Sequence, residues 1–176
     1  MRKIMLGLAL LLAACSSPDS QQAIGSDAPE TGSAAATEEC QDRTPAAPAK
    51  EDSVEDTKPD VEVPDGAPPC ELVIQDIVKG SGAEAEEDAT VTVHYVGVSW
   101  STGEQFDASW DGAGPATFPL SGVIPGWQEG IPGMNEGGRR QLIIPPDLAY
   151  GAQGRPGIAP NETLVFVIDL LEIEQA

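Results

Sequence analysis

Every phenylalanine, tyrosine and tryptophan of this 176-residue chain lies at or after Tyr95, and none lies in 16–70. A chain folds where large apolar side chains can be buried against one another, since that burial offsets the entropy of ordering. The early region cannot meet this condition. It is rich in Ala, Pro, Ser, Thr, Asp and Glu, with 13 acids against 3 bases, Arg43, Lys50 and Lys58. Low hydrophobicity with high net charge predicts disorder there. Residues 71–176 remain, enough for a single hydrophobic core.

The formal charge of −20 is spread over both parts. Residues 71–176 hold 16 acids and 4 bases, Lys79, Arg139, Arg140 and Arg155. A net −12 argues against nucleic acid as a partner, because phosphates require a basic patch. The first residues differ in kind. Arg2 and Lys3 form a basic start, Ile4 to Leu12 an apolar run too short for a comfortable membrane span, and small residues precede Cys15. Residues 1–14 read as an export signal outside the fold. Leu12-Ala13-Ala14-Cys15 also resembles the bacterial lipobox. That resemblance implies an acylated Cys15 at a new N-terminus and a tether on the outer face of a bacterial membrane. A plain signal peptide with an incidental Cys15 is the alternative, and inner versus outer membrane stays open. Residues 15–70 would then be an acidic Pro/Ala-rich leash with an r.m.s. span of about 40 Å. Outside the cytoplasm Cys40 and Cys70 can pair, or can remain two unrelated thiols.

The rest reads as strands. Leu72 to Val78 is apolar and β-branched. Thr90 to Val96 alternates, valines and Tyr95 on one face, Thr and His94 on the other, as in a half-buried strand. Phe106 and Phe118 mark two short strands around the turn-rich SWDGAGP. Gln141–Ile144 is another, stopped by Pro145 and Pro146. Thr163 to Ile173 is the last, with Leu164, Phe166, Ile168 and Leu170 on one face and Asp169 facing out. Its alternation slips near Leu171, as a bulge causes. The best helix candidate is Pro125 to Ile131, within VIPGWQEGIPGM, with Pro125 suited to its start and Gly133 to its end. Trp127 and Ile131 share a face. These elements predict an α+β fold, a twisted antiparallel sheet of five or six strands with one short helix against it. Trp127 is then either the floor of a pocket or simply core.

Catalytic machinery is sparse. The lone His94 lies in mid-strand, where a structural role is the commoner one. No Ser or Cys has a His and acid arranged around it. Cys40, Cys70 and His94 lie too far apart in sequence to suggest a metal site, so no metal or cofactor is expected. GAQGRPG at 151–157 lacks the spacing and context of a nucleotide loop. What remains is a set of aromatics near turns, Tyr95, Phe106, Trp127, Tyr150 and Phe166, which with Val123 and Ile124 could line an apolar pocket. Asp107 is its one acid.

VHYVG (93–97), FDAS (106–109), VIPGWQEGIPGM (123–134) and PPDLAYGAQGRPGIAPNETLVF (145–166) resemble the FKBP-type peptidyl-prolyl cis-trans isomerases, from about Glu71 to Ile173 and in family order. The resemblance implies a sheet wrapped over a short helix and a site of Tyr95, Phe106, Asp107, Val123, Ile124, Trp127, Tyr150 and Phe166. Trp127 would be its floor, with Asp107, the Ile124 N–H and the Tyr150 hydroxyl as polar contacts. Asp107, Tyr150, Trp127 and Phe166 would act on the rotating bond. Implied partners are proline-containing polypeptides and FK506- or rapamycin-type macrolides, the protein acting as a monomer that assists folding of exported proteins. The chain departs from the pattern at Ala116, where a rim aromatic is common, at Arg155 in place of a frequent His, and at Ala159. Two other functions fit the sequence: a proline-peptide-binding chaperone with feeble isomerase activity, and a surface lipoprotein serving as spacer.

Overall fold

The computed structural model describes residues 40–42, 44–46, 48 and 57–174. All belong to one unit, Ala36–Ala176. The signal at 1–14 and the lipobox cysteine Cys15 lie outside the described residues.

Six strands form one antiparallel sheet: β1 (Val73–Val78), β2 (Thr90–Ser99), β3 (Gln105–Ala108), β4 (Ala116–Pro119), β5 (Gly138–Ile144) and β6 (Leu164–Glu174). The path is β1-β5-β6-β2-β3, and β4 also pairs with β2. One edge of β2 lies along β6 for its whole length. The other is shared, Thr90–Val93 with β4 and Val96–Val98 with β3. His94 and Tyr95 fall in the gap between those partners. The Ser109 hydroxyl fills it, accepting from the Tyr95 N–H at 2.9 Å and bonding His94 Nδ1 at 2.9 Å. A buried backbone donor needs such a substitute when a ladder is interrupted. At the other end of β6 the register steps from Thr92–Glu172 to Val93–Leu170, which leaves Leu171 as the bulged residue.

The one α-helix among the described residues, α1 (Pro125–Gly130), stops one residue short of the expected Ile131, which caps it through a bond to the Trp127 carbonyl. Six residues are far too few for a helix to stand alone in water. It is held by packing. A Cβ on Gly126 would fall 2.4 Å from Ile144, and one on Gly130 would fall 2.7 Å from Leu142, both on β5. The glycines let the helix backbone lie directly on the sheet. Trp127 and Ile131 then enter the core together, 5% and 0% exposed. With Val91, Val93, Leu142, Ile144, Leu164, Phe166, Ile168 and Leu170 they form the main cluster.

The second sheet face corrects two sequence expectations. It is covered, not open. Val61 and Val63 pack against Val73, Val96, Val98, Ile143 and Val165, with Trp100 and Trp110 beside them. The strap 57–70 is therefore part of the packed unit, so a leash running unbroken to residue 70 does not describe these residues. Its anchors are specific: Lys58 Nζ to Asp111 at 2.7 Å, the Trp100 indole N–H to the Gly66 carbonyl at 3.4 Å, and a Cys40–Cys70 disulfide. His94, read as a structural residue, is buried, bonded to Ser109 and stacked on Trp110, ring centroids 3.8 Å apart. Asp169, expected to face out, is 2% exposed. Its carboxylate takes Nε and Nη2 of Arg139 at 2.5 and 2.8 Å. A buried carboxylate is tolerated when a guanidinium meets it with two parallel bonds.

Candidate functional site

Between α1 and the β2–β3 edge, five rings converge. Trp127 lies at the centre, edge-to-face with Phe166 at 5.3 Å, Tyr95 at 5.5 Å and Phe118 at 5.8 Å between centroids. Phe106 meets Phe166 at 5.5 Å, again edge-to-face. These perpendicular arrangements set ring edges against ring faces, as the aromatic quadrupole favours. Trp127 and Phe166 are buried, whereas Tyr95, Phe106 and Phe118 are partly exposed, so the cluster has a closed bottom and open walls.

The chain achieves this with two local devices. Gly97 lies between Phe106 and Phe166. A Cβ there would come within 2.6 Å of Phe106 and 2.7 Å of Phe166, so only glycine lets the two rings meet across the strand. The β2–β3 register then steps from Gly97–Asp107 to Val98–Gln105, leaving Phe106 as an extra residue. A bulge re-aims side chains. Here the chain neighbours Phe106 and Asp107 both serve the same cluster: Phe106 meets Phe166, and Asp107 Oδ2 accepts from the Tyr95 hydroxyl at 3.0 Å. Burial, and then the bond to Asp107, push the Tyr95 phenol up to about 12.

The turn before α1 supplies the polar element. Val123 and Ile124 pack on the core cluster. The Gln128 side chain donates to the Val123 carbonyl at 2.8 Å and fixes this turn. The Ile124 carbonyl accepts from Trp127 and Gln128, but the Ile124 N–H has no acceptor among the described residues. The indole N–H of Trp127 is also buried without a partner among them. Tyr150, which leads into the 3-10 turn Gly151–Gln153, packs on the same cluster, and its hydroxyl accepts from Arg155 Nη1 at 2.8 Å.

All eight site residues named from the sequence thus belong to this cluster or contact a member of it. Sequence reasoning missed Phe118, which it read only as a strand marker. The two-residue spacing of Ala116 and Phe118 on β4 was the available signal, since it puts both on one face. It also missed that Asp107 and Arg155 each engage a tyrosine hydroxyl.

The arrangement offers a cluster of aromatic rings, partly open to solvent on one side, with an unpaired backbone donor in the adjoining turn and no nucleophile among its rings. A family model described as FKBP-type peptidyl-prolyl cis-trans isomerase matches residues 82–171. The probable FK506-binding protein of Corynebacterium glutamicum is 57% identical over 114 residues, covering 65% of this chain and 97% of that protein. The FKBP-type peptidyl-prolyl cis-trans isomerase FkpA of Escherichia coli is 46% identical over 105 residues, covering 60% of this chain and 38% of FkpA. The crystal structure of FkpA superposes with a TM-score of 0.57, covering 60% of this chain and 49% of that one. A crystal structure of a peptidyl-prolyl cis-trans isomerase from Pseudomonas syringae gives a TM-score of 0.54 at 34% identity, covering 59% of this chain and 76% of that one.

Proposed function

The chain belongs to the FKBP-type peptidyl-prolyl cis-trans isomerase family, and on that premise we propose that the hollow floored by Trp127 is where it rotates X–Pro bonds. The observation that carries this reading is the convergence of five rings with the unpaired Ile124 N–H, and nothing nucleophilic among them.

The reaction makes and breaks no covalent bond. An X–Pro amide turns slowly because resonance gives its C–N bond double-bond character, with a barrier of about 18–20 kcal/mol. Resonance also places negative charge on the carbonyl oxygen, and water favours that form. In an apolar hollow this preference weakens, while the twisted amide, being less charge-separated, loses less. Proline is flat, cyclic and apolar, so the face of Trp127 complements it. The Ile124 N–H then holds a substrate carbonyl, and the Tyr150 hydroxyl supplies a second polar contact. Contacts made better in the twisted state than in the planar one accelerate the turn, tenfold for each ~1.4 kcal/mol. FK506-type macrolides fit the same hollow, with affinity set by Ala116, Arg155 and Ala159 at its rim.

A protease-coupled isomerisation assay tests the site, using the chain without its first fifteen residues, with and without macrolide. The expected result is acceleration that the macrolide suppresses. A folded protein that binds proline peptides without accelerating them would make it a binding module instead.

The export signal and lipobox support a lipid anchor on Cys15 at the outer face of a bacterial membrane, with proline-containing exported chains as clients. The Cys40–Cys70 bridge suits an oxidising compartment. Cys15→Ser should release the protein from membranes or leave an unprocessed precursor. Unchanged detergent-phase partitioning would rule the anchor out.

A further inference from the structure

The rim of the hollow carries a cation that bond rotation in an apolar pocket does not require. Arg155 is exposed, yet it is held in place. Its backbone closes a turn with Ile158, N–H to carbonyl at 3.0 Å and the return bond at 2.8 Å. Its Nη1 donates to the Tyr150 hydroxyl at 2.8 Å, and its guanidinium carbon stands 4.9 Å from the centroid of the Tyr150 ring. It forms no ion pair among the described residues, whereas Arg139 is bound to Asp169, Arg140 to Asp76 and Lys58 to Asp111. In a region of net charge −12, this guanidinium stands at the pocket unneutralised. A guanidinium has five N–H donors in a fork that matches a carboxylate, and Tyr150 takes only one. Asp107, the acid of the site, already has Oδ2 engaged by Tyr95.

We propose that Arg155 is a specificity-determining residue that recognises a carboxylate on the residue flanking the substrate proline. The proposal rests on the reading of the hollow as the isomerase site. The enzyme then favours segments with Glu or Asp next to proline over their neutral isosteres, and the positive rim offsets the repulsion that an acidic protein exerts on acidic substrates.

The test is a protease-free isomerisation assay on matched peptides with Glu or Gln directly before or directly after proline, using the chain without its first fifteen residues. The readout is the Glu/Gln ratio of kcat/KM within each variant, because Arg155 also supports Tyr150 and absolute rates will move. For the wild-type protein the ratio should be about two- to fivefold at low salt on at least one side of the proline, the size of an exposed ion pair. It should shrink at about 1 M salt, where the Debye length is about 3 Å. Arg155→Gln should bring the ratio to one or below, while Arg155→Lys should retain part of it. A wild-type ratio of one in both series, with both peptides turned over, overturns the proposal and leaves the isomerase site standing. A ratio that survives Arg155→Gln overturns it as well. Failure to accelerate any of the peptides overturns the site reading and this proposal together.

Discussion

Tyr95 shows how one side chain ties the fold to the site. Its ring walls the hollow, its N–H is satisfied by Ser109, and its hydroxyl is committed to Asp107. Because burial and Asp107 raise the phenol to about 12, the native state keeps the proton after the unfolded chain has lost it near pH 10. The Tyr95 contribution to stability should therefore be complete below pH 10 and fall away as pH rises towards 12. Denaturant titrations of wild type and Tyr95→Phe across that range check this. The difference between them should shrink with rising pH, and a constant difference would contradict the shift. Tyr150 tests a separate contact. Tyr150→Phe removes one hydroxyl and little volume, so ligand binding should weaken by about 1 kcal/mol with stability nearly unchanged. Calorimetric titration with a proline peptide, beside a thermal melt, measures both. At this scale the sequence was informative about which rings matter and silent about their polar partners. A ring in a strand announces burial through its type and spacing. A hydroxyl's partner, such as Arg155 for Tyr150 or Asp107 for Tyr95, depends on loop geometry that no periodicity encodes.

The elements were legible where side-chain alternation is strict. Strand β2 and the slip at Leu171 could both be read because a strand repeats every second residue, so one extra residue inverts the pattern. The short helix was legible from its punctuation, Pro125 at the start and Trp127 four residues before Ile131. Gly126 and Gly130 add what the sequence pattern did not reveal, that the helix backbone touches β5. Asp169 went wrong for a related reason. Alternation assigns it to the second face, and an acid on a sheet face is ordinarily exposed. Only the cross-strand register Arg139–Asp169 reveals the guanidinium that allows its burial. The helix also yields the sharpest test of the floor. Trp127→Leu keeps much of the apolar burial but loses the flat ring, so kcat/KM should fall by about an order of magnitude while the protein still melts cooperatively. Trp127→Ala should in addition cost roughly 3–5 kcal/mol of stability. Full activity in Trp127→Leu at unchanged stability would make Trp127 core and nothing more.

For the whole molecule the decisive feature is that the sheet has two covered faces with different covers. The helix and aromatic cluster cover one, and the strap 57–70 covers the other. The sequence concealed the second cover because Val61 and Val63 are isolated apolar residues in an acidic, proline-rich stretch, and composition averages them away. Their burial depends on a sheet that begins ten residues later. The Cys40–Cys70 disulfide closes a loop of sequence separation 30 around this strap, and Gln41 bonds back to Pro68 and Cys70 beside it. Closing a loop of that length restricts the unfolded chain by about 3–4 kcal/mol on the loop-entropy account. The double variant Cys40→Ser/Cys70→Ser should therefore unfold at lower denaturant, by an amount up to that size. Amide exchange at residues 41 and 70, whose N–H groups bond the Pro68 and Gln41 carbonyls, should accelerate more than exchange in β5 or β6, because the strap has few polar anchors left apart from Lys58–Asp111 and Trp100–Gly66. Isomerase kcat/KM should stay within about twofold, since ΔΔG‡ below ~0.4 kcal/mol is expected when the altered face does not contact the hollow. Unchanged exchange and unfolding would mean that the strap is held by its own packing and the disulfide adds nothing. A large loss of activity in a variant whose β5 and β6 remain protected would mean that the two faces communicate through the strands they share, most directly through β2, where Tyr95 on the pocket side adjoins His94 on the strap side.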